Sequence, residues 1–473
     1  MSRLGKVVPL FAFLALCAGC AKVVAYRPAP IVPAATAQRL EARRLTDPGL
    51  ERFLAQNLGH PVSPWPMREW NLQTLTLAAL YFSPQMDIAR DQLAVTQAAI
   101  VTAAEHPNPT LSLTPGIPSP WLFDMPFTWP IETHGKRALR IEEARHLSSA
   151  AKISLAQTAW KVSSGLRKAL LAYQMAQANL AIDRSTQQLE TRQVSLLGRM
   201  LSSGEGARPA LQTARLALSN TRFALSEAEG QVVTAEAALA GAIGVPVAAL
   251  DGLQFNWPNI RQLPAPASLS LQRIRRDAVL NRLDVRRALD QYAAADAALR
   301  LQIARQYPNI NIGPGYAFEE GNNYFTVPLS LVLPIRNRNQ GPIAQAEALR
   351  KAAAANLLAV QAGAIAQSEQ ALAAYRSALA ALKQADRPIA GQRVRVETTE
   401  HAVTAGEADH LQLNSLLLEG AVYARQHVAA LAQAQAALGA LEDAVQRPLG
   451  PDASNFPARA SSMAVRGRKE SER

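Results

Sequence analysis

The chain has little of the chemistry from which enzymes, metal centres and disulfide frameworks are built. Only two cysteines occur in 473 residues, Cys17 and Cys20, and both lie in the N-terminal apolar segment, so no structural disulfide is expected. The seven histidines show no metal-ligand spacing. No nucleophile elbow, phosphate loop or metalloprotease motif occurs. We therefore expect no catalytic residues, no metal site, no cofactor and no enzymatic activity.

Aromatic residues are also scarce, at 5% of the chain, whereas alanine dominates long stretches. This composition favours thin, closely packed helices over a thick core with bulky side chains. The formal net charge is +12, but Lys and Arg are dispersed among Glu and Gln, and no basic stripe with interleaved aromatics is present. Nucleic acid is therefore not an expected partner.

Long apolar runs are missing beyond the N-terminus. No stretch there reaches the roughly 18 to 20 apolar residues that a membrane-spanning helix requires. If the mature chain crosses a membrane, it must do so with strands in a closed barrel.

The N-terminus has the layout of a secretory signal, with Arg3 and Lys6 followed by an apolar run. We predict a signal peptide over residues 1–19. Ala18-Gly19-Cys20 resembles the end of a lipobox, which predicts a lipid on Cys20. An ordinary cleaved signal is the alternative, because Cys17 occupies the position where a lipobox usually has leucine.

Residues 20–70 begin with three prolines among small residues, which favours a lipid-anchored tether and linker leading to a folded part that starts near Leu72. Ala21 favours sorting to the outer membrane. At the other end, residues 446–473 contain a cluster of Arg and Lys beside Ser and Glu, which predicts a disordered basic tail.

The central observation is an internal repeat of about 200 residues, too long for a solenoid unit. A helix leads to His106-Pro107-Asn108 in the first half and to Tyr307-Pro308-Asn309 in the second, and an alternating segment follows each. We therefore predict two duplicated domains, over residues 71–250 and 268–445.

Each repeat contains a very long helical stretch, near residues 136–203 and 342–405, which at 1.5 Å per residue reaches roughly 100 Å. The two stretches end at matching dipeptides, Gly204-Glu205 and Gly406-Glu407. Glycine permits the tight reversal of a helical hairpin. We predict return helices to about Gly244 and Val445.

Each repeat also predicts two strands. In the second repeat, apolar residues from Phe325 to Leu333 alternate with other residues at a period of two, which is typical of a strand with one apolar face. A small soluble sheet is the alternative. Four strands cannot close a barrel, and an open edge in lipid leaves backbone groups unsatisfied. A barrel would therefore need several copies of the chain.

From about residue 71 to 445 the chain resembles the TolC-type outer-membrane efflux family. The most specific matches are Leu333-Pro334-Ile335-Arg336-Asn337-Arg338-Asn339-Gln340-Gly341 and Pro130-Ile131-Glu132-Thr133-His134-Gly135-Lys136-Arg137. The Gly-Lys-Arg element is similar to the CzcC-like branch, whose members serve heavy-metal cation pumps.

The resemblance implies a mainly α protein with a membrane β-barrel: a homotrimer with twelve strands and an α-helical periplasmic tunnel. It places Gly204, Glu205, Gly406 and Glu407 at periplasmic tips that meet an adaptor protein, which in turn serves an inner-membrane RND-type pump. Where the family often carries an acidic ring, this chain has Asp409, His410 and Gln412, a possible aperture.

The sequence thus predicts a lipid-anchored, outer-membrane exit duct, passive and serving heavy-metal cations. An outlet for drugs or small organic solutes with the same fold is one alternative. A periplasmic adaptor is another, but adaptors carry one hairpin inserted into compact β-rich domains, whereas two hairpins are predicted here.

Overall fold

The computed structural model describes residues 26–116 and 122–450. The predicted signal peptide (1–19), the predicted lipidation site Cys20 and residues 451–473 of the predicted tail lie outside these residues. The chain divides into two compact units, Met1–Arg43 and Arg44–Arg473. The first unit holds helix α1 (Pro33–Glu41), which has proline in its first turn.

The second unit contains the remaining elements, and the repeat is visible in their order. Ahead of the first repeat come α2 (Pro48–Leu58) and β1 (Glu69–Asn71). The first repeat consists of α3 (Leu72–Phe82), α4 (Pro84–Ala104), β2 (Thr110–Leu111), β3 (Thr114–Pro115), β4 (Phe123–Ile131), α5 (Lys136–Ser202) and α6 (Arg208–Ile243). After β5 (Gln254–Asn256), the second repeat consists of α7 (Leu271–Leu280), α8 (Leu283–Ala304), β6 (Ile310–Ile312), β7 (Gly315–Glu319), β8 (Asn322–Thr326), β9 (Leu329–Leu331), α9 (Gln340–Thr404) and α10 (His410–Val445).

The two long helices match the sequence prediction. Helix α5 has 67 residues and α9 has 65, so each extends roughly 100 Å. Helix α9 is continuous through Pro388. Each returns through a helix of 36 residues, α6 or α10. Among the described residues, no helix combines the length and the apolar character that crossing a membrane requires.

Folded structure begins earlier than predicted, because residues 20–70 are not only a tether. Helix α2 starts at Pro48, directly after its N-cap residue Asp47. The Asp47 carboxylate accepts a hydrogen bond from the amide of Gly49. Its residues Leu50 and Leu54 are fully buried. The spacing of four places both side chains on one face of the helix, and their burial against α3 makes α2 part of the core.

Helix α4 starts without a side-chain cap. Helix α4 does begin at Pro84, but the side chain of Ser83 makes no capping hydrogen bond. Proline at the first helical position already lacks one of the amide hydrogens that a cap would satisfy.

The four predicted strand runs are present, but three of them are split. Run 1 (β2 and β3) pairs with run 2 (β4), run 2 pairs with run 3 (β6 and β7), and run 3 pairs with run 4 (β8 and β9). All pairings are antiparallel. Residues at the interruptions include Gly313, Pro314 and Pro328, which weaken or break a ladder. Runs 1 and 4 form the two edges.

A second, two-stranded parallel sheet was not predicted. Strand β1 pairs with β5, so that Trp70 lies opposite Phe255. Both side chains are buried in the main core, together with residues of α2, α3, α5 and α6. Strands of three residues carry too little periodicity to be recognised in a sequence.

Candidate functional site

The first hairpin tip is built by a glycine that ends α5. Gly204 has φ +82°, a left-handed conformation that glycine adopts without a steric penalty. The amide of Gly204 donates to the carbonyl of Leu201 (3.3 Å) and the amide of Glu205 to that of Met200 (2.9 Å). This pair of bonds is a Schellman motif. The predicted tip residues Gly204 and Glu205 are both exposed.

The second tip repeats this geometry. Gly406 has φ +76°, and its amide donates to the carbonyl of Val403 (3.1 Å), while the amide of Glu407 donates to that of Ala402 (2.8 Å). Both predicted tip residues are again exposed.

The two tips differ in the residues that follow. Asp409 is the N-cap of α10, and its Oδ1 accepts a hydrogen bond from the amide of Leu411 (3.1 Å). At the first tip Ala207 occupies the cap position and makes no such bond. His410 and Gln412 are exposed. Because an aperture is a property of an assembly, the aperture role of Asp409, His410 and Gln412 stays a prediction.

A groove of about 510 Å³ lies between α9 and α10, above the second tip. Its lining includes Glu397, Glu400 and Tyr423. The Tyr423 hydroxyl donates to Glu419 (2.7 Å), and this bond, supported by Arg395, lowers the pKa of the Glu419 carboxyl. No sequence pattern indicates this groove, because its residues come from two helices that are adjacent only in the folded hairpin.

A polar seam joins α5 of the first repeat to α10 of the second. Arg167 pairs with Glu442 and donates to the carbonyl of Gly439 (2.9 Å). Burial lowers the pKa of the Arg167 guanidinium. Asp443 accepts hydrogen bonds from Trp160 (3.0 Å), Ser164 (2.7 Å) and Lys168 (3.0 Å). The seam fixes one hairpin against the other, and no sequence signal identified it.

The Gly-Lys-Arg element lies where strand β4 passes into α5. Lys136 is only 7% exposed, and its ammonium group donates to the carbonyl of Tyr307 (2.6 Å) and to Oδ1 of Asn309 (2.5 Å). Burial lowers the pKa of this ammonium group. Lys136 therefore ties the first repeat to the helix-to-strand turn of the second.

Two arginines of the same segment hold the end of α4. The Arg137 guanidinium donates to the carbonyl of Ala104 (2.6 Å), and Arg140 to that of Ala103 (3.3 Å). Arginine at a helix C-terminus satisfies carbonyls that lack a partner within the helix. Arg140 also pairs with Glu132, and its hydrogen bonds lower the pKa of that carboxyl. The element thus serves the packing of this junction.

The histidines of the described part of the chain do not form a metal centre. No group of three His, Cys, Asp or Glu side chains in residues 26–116 and 122–450 has the geometry to hold a metal ion. His427 contacts Asp386 (2.7 Å), and His134 stacks on Tyr307. His401 and His410 are exposed near the second tip.

The fold is that of the outer-membrane channel class. It combines two long helical hairpins, each with a glycine at its turn, with an antiparallel sheet of four strand runs. Residues 78–245 match the family described as "Outer membrane efflux protein". Over these residues the chain is similar to this family, in agreement with the resemblance found in the sequence.

Among curated proteins, the chain is similar to the cobalt-zinc-cadmium resistance protein CzcC of Cupriavidus metallidurans, with 24% identity over 336 residues, 69% of this chain and 78% of CzcC. Among solved structures, CusC is similar with a TM-score of 0.63 and 18% identity, covering 90% of this chain and 99% of CusC. The outer membrane protein VceC from Vibrio cholerae also has a TM-score of 0.63, with 17% identity, covering 79% of this chain and 95% of VceC.

Proposed function

We propose that the chain is one subunit of a homotrimeric outer-membrane channel, the passive exit duct of a tripartite efflux system for heavy-metal cations. The observation that carries this proposal is that the equivalent helices α5 and α9 are packed against different numbers of neighbouring helices. Helix α5 packs against α3, α4 and α6 of its own repeat and also against α8 and α10 of the other. Helix α9 packs extensively against α7, α8 and α10, all of its own repeat.

Within the described residues, the flank of α9 that corresponds to the flank of α5 packed against α8 and α10 has no comparable partner. The counterparts of α8 and α10 are α4 and α6, which pack against α5 and have no extensive contact with α9. Large apolar side chains are exposed on these helices: Ile88 and Val95 on α4, Leu216, Phe223 and Val233 on α6, and Leu349 and Leu358 on α9. Pairing α9 of one copy with α4 and α6 of the next covers both surfaces. Such a head-to-tail contact generates a closed ring when the rotation closes.

The sheet gives the same indication. Runs 1 and 4 are its edges, and in run 4 and the segment after it Phe325, Val327, Leu329 and Leu333 are 62% to 87% exposed. Exposed apolar residues on a sheet with unpaired edges suit a lipid environment only when the edges are closed. Three copies would supply twelve strand runs, which is the barrel implied by the family resemblance, above an α-helical periplasmic tunnel.

At the far ends of the hairpins, Gly204, Glu205, Gly406 and Glu407 would meet a periplasmic adaptor protein, which connects the duct to an inner-membrane RND-type pump. Both tips are exposed turns supported by their own backbone hydrogen bonds, as a docking surface requires. The acyl chains on Cys20 would anchor the N-terminus to the outer membrane.

Heavy-metal cations are the proposed cargo, by similarity to CzcC, whose name links it to cobalt, zinc and cadmium resistance. An exit duct does not need a tight metal site, because conduction requires interactions weak enough for release. Exposed Asp409, His410 and Gln412 would provide such contacts at the aperture.

The experiment pairs the chain with a metal pump and, separately, with a drug pump, each with its adaptor, in a host lacking its own outlet. Metal resistance restored only with the metal pump supports the cargo. Drug resistance alone would replace heavy metals with organic solutes. The mass of the detergent-extracted protein tests the assembly, and a folded monomer with intact strand content would contradict the channel.

A further inference from the structure

The two repeats each have a turn from strand to long helix, and only one of these turns is occupied. We call residues 132–136 the filled junction, because the turn Tyr307-Pro308-Asn309 lies against them. Besides the Lys136 contacts, the Thr133 hydroxyl donates to the carbonyl of Pro308 (2.7 Å). The His134 ring stacks on Tyr307, with centroids 3.5 Å apart and planes 9° from parallel.

The equivalent turn of the second repeat, residues 336–340, is the open junction. Asn339 has φ +63° and directly precedes α9, as Gly135, with φ +68°, directly precedes α5. Arg336 and Arg338 are exposed. Within the described ranges, neither guanidinium group makes a hydrogen bond or an ion pair. The turns also differ, since only His134, and not its equivalent Arg338, has a positive φ.

The matching turn of the first repeat is open as well. His106-Pro107-Asn108 corresponds to Tyr307-Pro308-Asn309, since each follows a helix and leads into a strand run. The first turn leads into run 1, at an edge of the sheet, and the second into run 3, in its centre. The side chains of His106 and Asn108 are exposed and make no hydrogen bond within residues 26–116 and 122–450. One chain therefore contains both halves of a second contact of the same kind. Asn339 of the open junction bonds to Gln302 of its own repeat, but no turn lies against Arg336 and Arg338 within the described residues.

The two halves lie at opposite edges of the sheet. His106-Pro107-Asn108 leads into run 1, whereas the open junction follows run 4. Within the chain, the filled junction is formed where run 2 meets run 3, with Trp129 opposite Ile312. Between two copies, the equivalent of the meeting of runs 2 and 3 is the meeting of run 4 of one copy with run 1 of the next. A second copy of the chain therefore carries the turn that the open junction lacks.

We propose that the open junction receives His106-Pro107-Asn108 of a second copy of the chain. Asn337 takes the place of Thr133 beside the carbonyl of Pro107, and the Arg338 guanidinium lies on the His106 ring, where arginine stacks favourably on an aromatic face. This inference rests on the proposed ring of copies, and it specifies the residues that close the ring at the level of the strand-to-helix turns.

The test uses cysteine pairs in the full chain, extracted in mild detergent and treated with a short thiol-specific cross-linker. Arg338→Cys with His106→Cys is the test pair. His134→Cys with Tyr307→Cys is the matched control within one chain. The single variants control for Cys17 and Cys20. We expect the control pair to stay at monomer mass in a denaturing gel, with an internal link. The test pair should form a ladder ending at three copies, at least tenfold above the single variants.

A test pair that links only within one chain, or not at all while the control pair links, overturns the proposal. If the native mass is then still that of a trimer, the channel stands and only the junction contact is wrong; a monomer removes both. A second comparison avoids reliance on cysteines. Arg338→Glu should lower the temperature at which the trimer dissociates in detergent, and adding His106→Arg should restore it. The contact is also overturned if the trimer of Arg338→Glu dissociates at the wild-type temperature. It is likewise overturned if adding His106→Arg does not restore a lowered dissociation temperature.

Discussion

Replacing Gly406 by valine is expected to loosen the second hairpin tip while leaving the rest of the chain intact. Gly406 has φ +76°, and a Cβ placed there meets no atom within 4 Å. The penalty is therefore conformational and not a clash. A left-handed conformation costs a residue with a Cβ roughly 1–2 kcal/mol, and a β-branched side chain is the least tolerant.

This cost falls on the two hydrogen bonds of the turn, from Gly406 to Val403 and from Glu407 to Ala402. A loss of roughly 1–2 kcal/mol corresponds to about five- to thirtyfold faster hydrogen exchange of the tip amides. Because the sheet lies roughly 100 Å away along α9, trimer yield and melting temperature should not change. Cross-linking to the adaptor and pump-dependent resistance should fall.

Two controls frame the measurement. Gly406→Asn should retain most of the protection, because asparagine tolerates the left-handed region. At the first tip, Gly206→Ala should be more disruptive than Gly406→Val is at the second. The added Cβ would lie 2.6 Å from the backbone nitrogen of Leu201. Loss of the trimer in Gly406→Val would show that the glycine supports the whole chain. Unchanged cross-linking with full resistance would remove the docking role of this tip.

Four further outcomes are expected. Lys136→Met should lower the free energy of unfolding by roughly 1–3 kcal/mol, measured by denaturant titration, because the partly buried carbonyl of Tyr307 and side chain of Asn309 lose their hydrogen-bond donor. Arg167→Met should cost roughly 3–5 kcal/mol in the same assay, because Glu442 is left buried without its partner. Burial raises the pKa of the Glu143 carboxyl above its ordinary 4.5, so the folded state keeps this carboxyl protonated to a higher pH than the unfolded state does. The free energy of unfolding therefore falls as the pH rises from 4.5 through the pKa of the folded state. Glu143→Gln should raise the melting temperature at pH 7 and leave it unchanged at pH 4. Intact-mass analysis should find acyl chains on Cys20, and Cys20→Ser should abolish them.

The glycines and prolines of the sequence were sufficient to predict where the two long helices end. Proline and glycine act locally, so the ends of the long helices at Gly204 and Gly406 could be predicted from single positions, and the structure places each glycine in the left-handed region. Helix α2 was missed because a short amphipathic segment is stabilised as a helix mainly by the core against which it packs. Leu50 is buried in a core that α2 shares with α3, α5 and α6.

The sequence by itself determined the largest elements of this protein: two long hairpins, four strand runs and their order, each set by local periodicity and by glycine and proline. Only the tertiary structure decided which faces meet. The seam of Arg167 with Glu442 and the contact of Lys136 with Tyr307 join residues more than a hundred positions apart. Such pairs leave no periodic signal, because each partner's role depends on the position of the other in space.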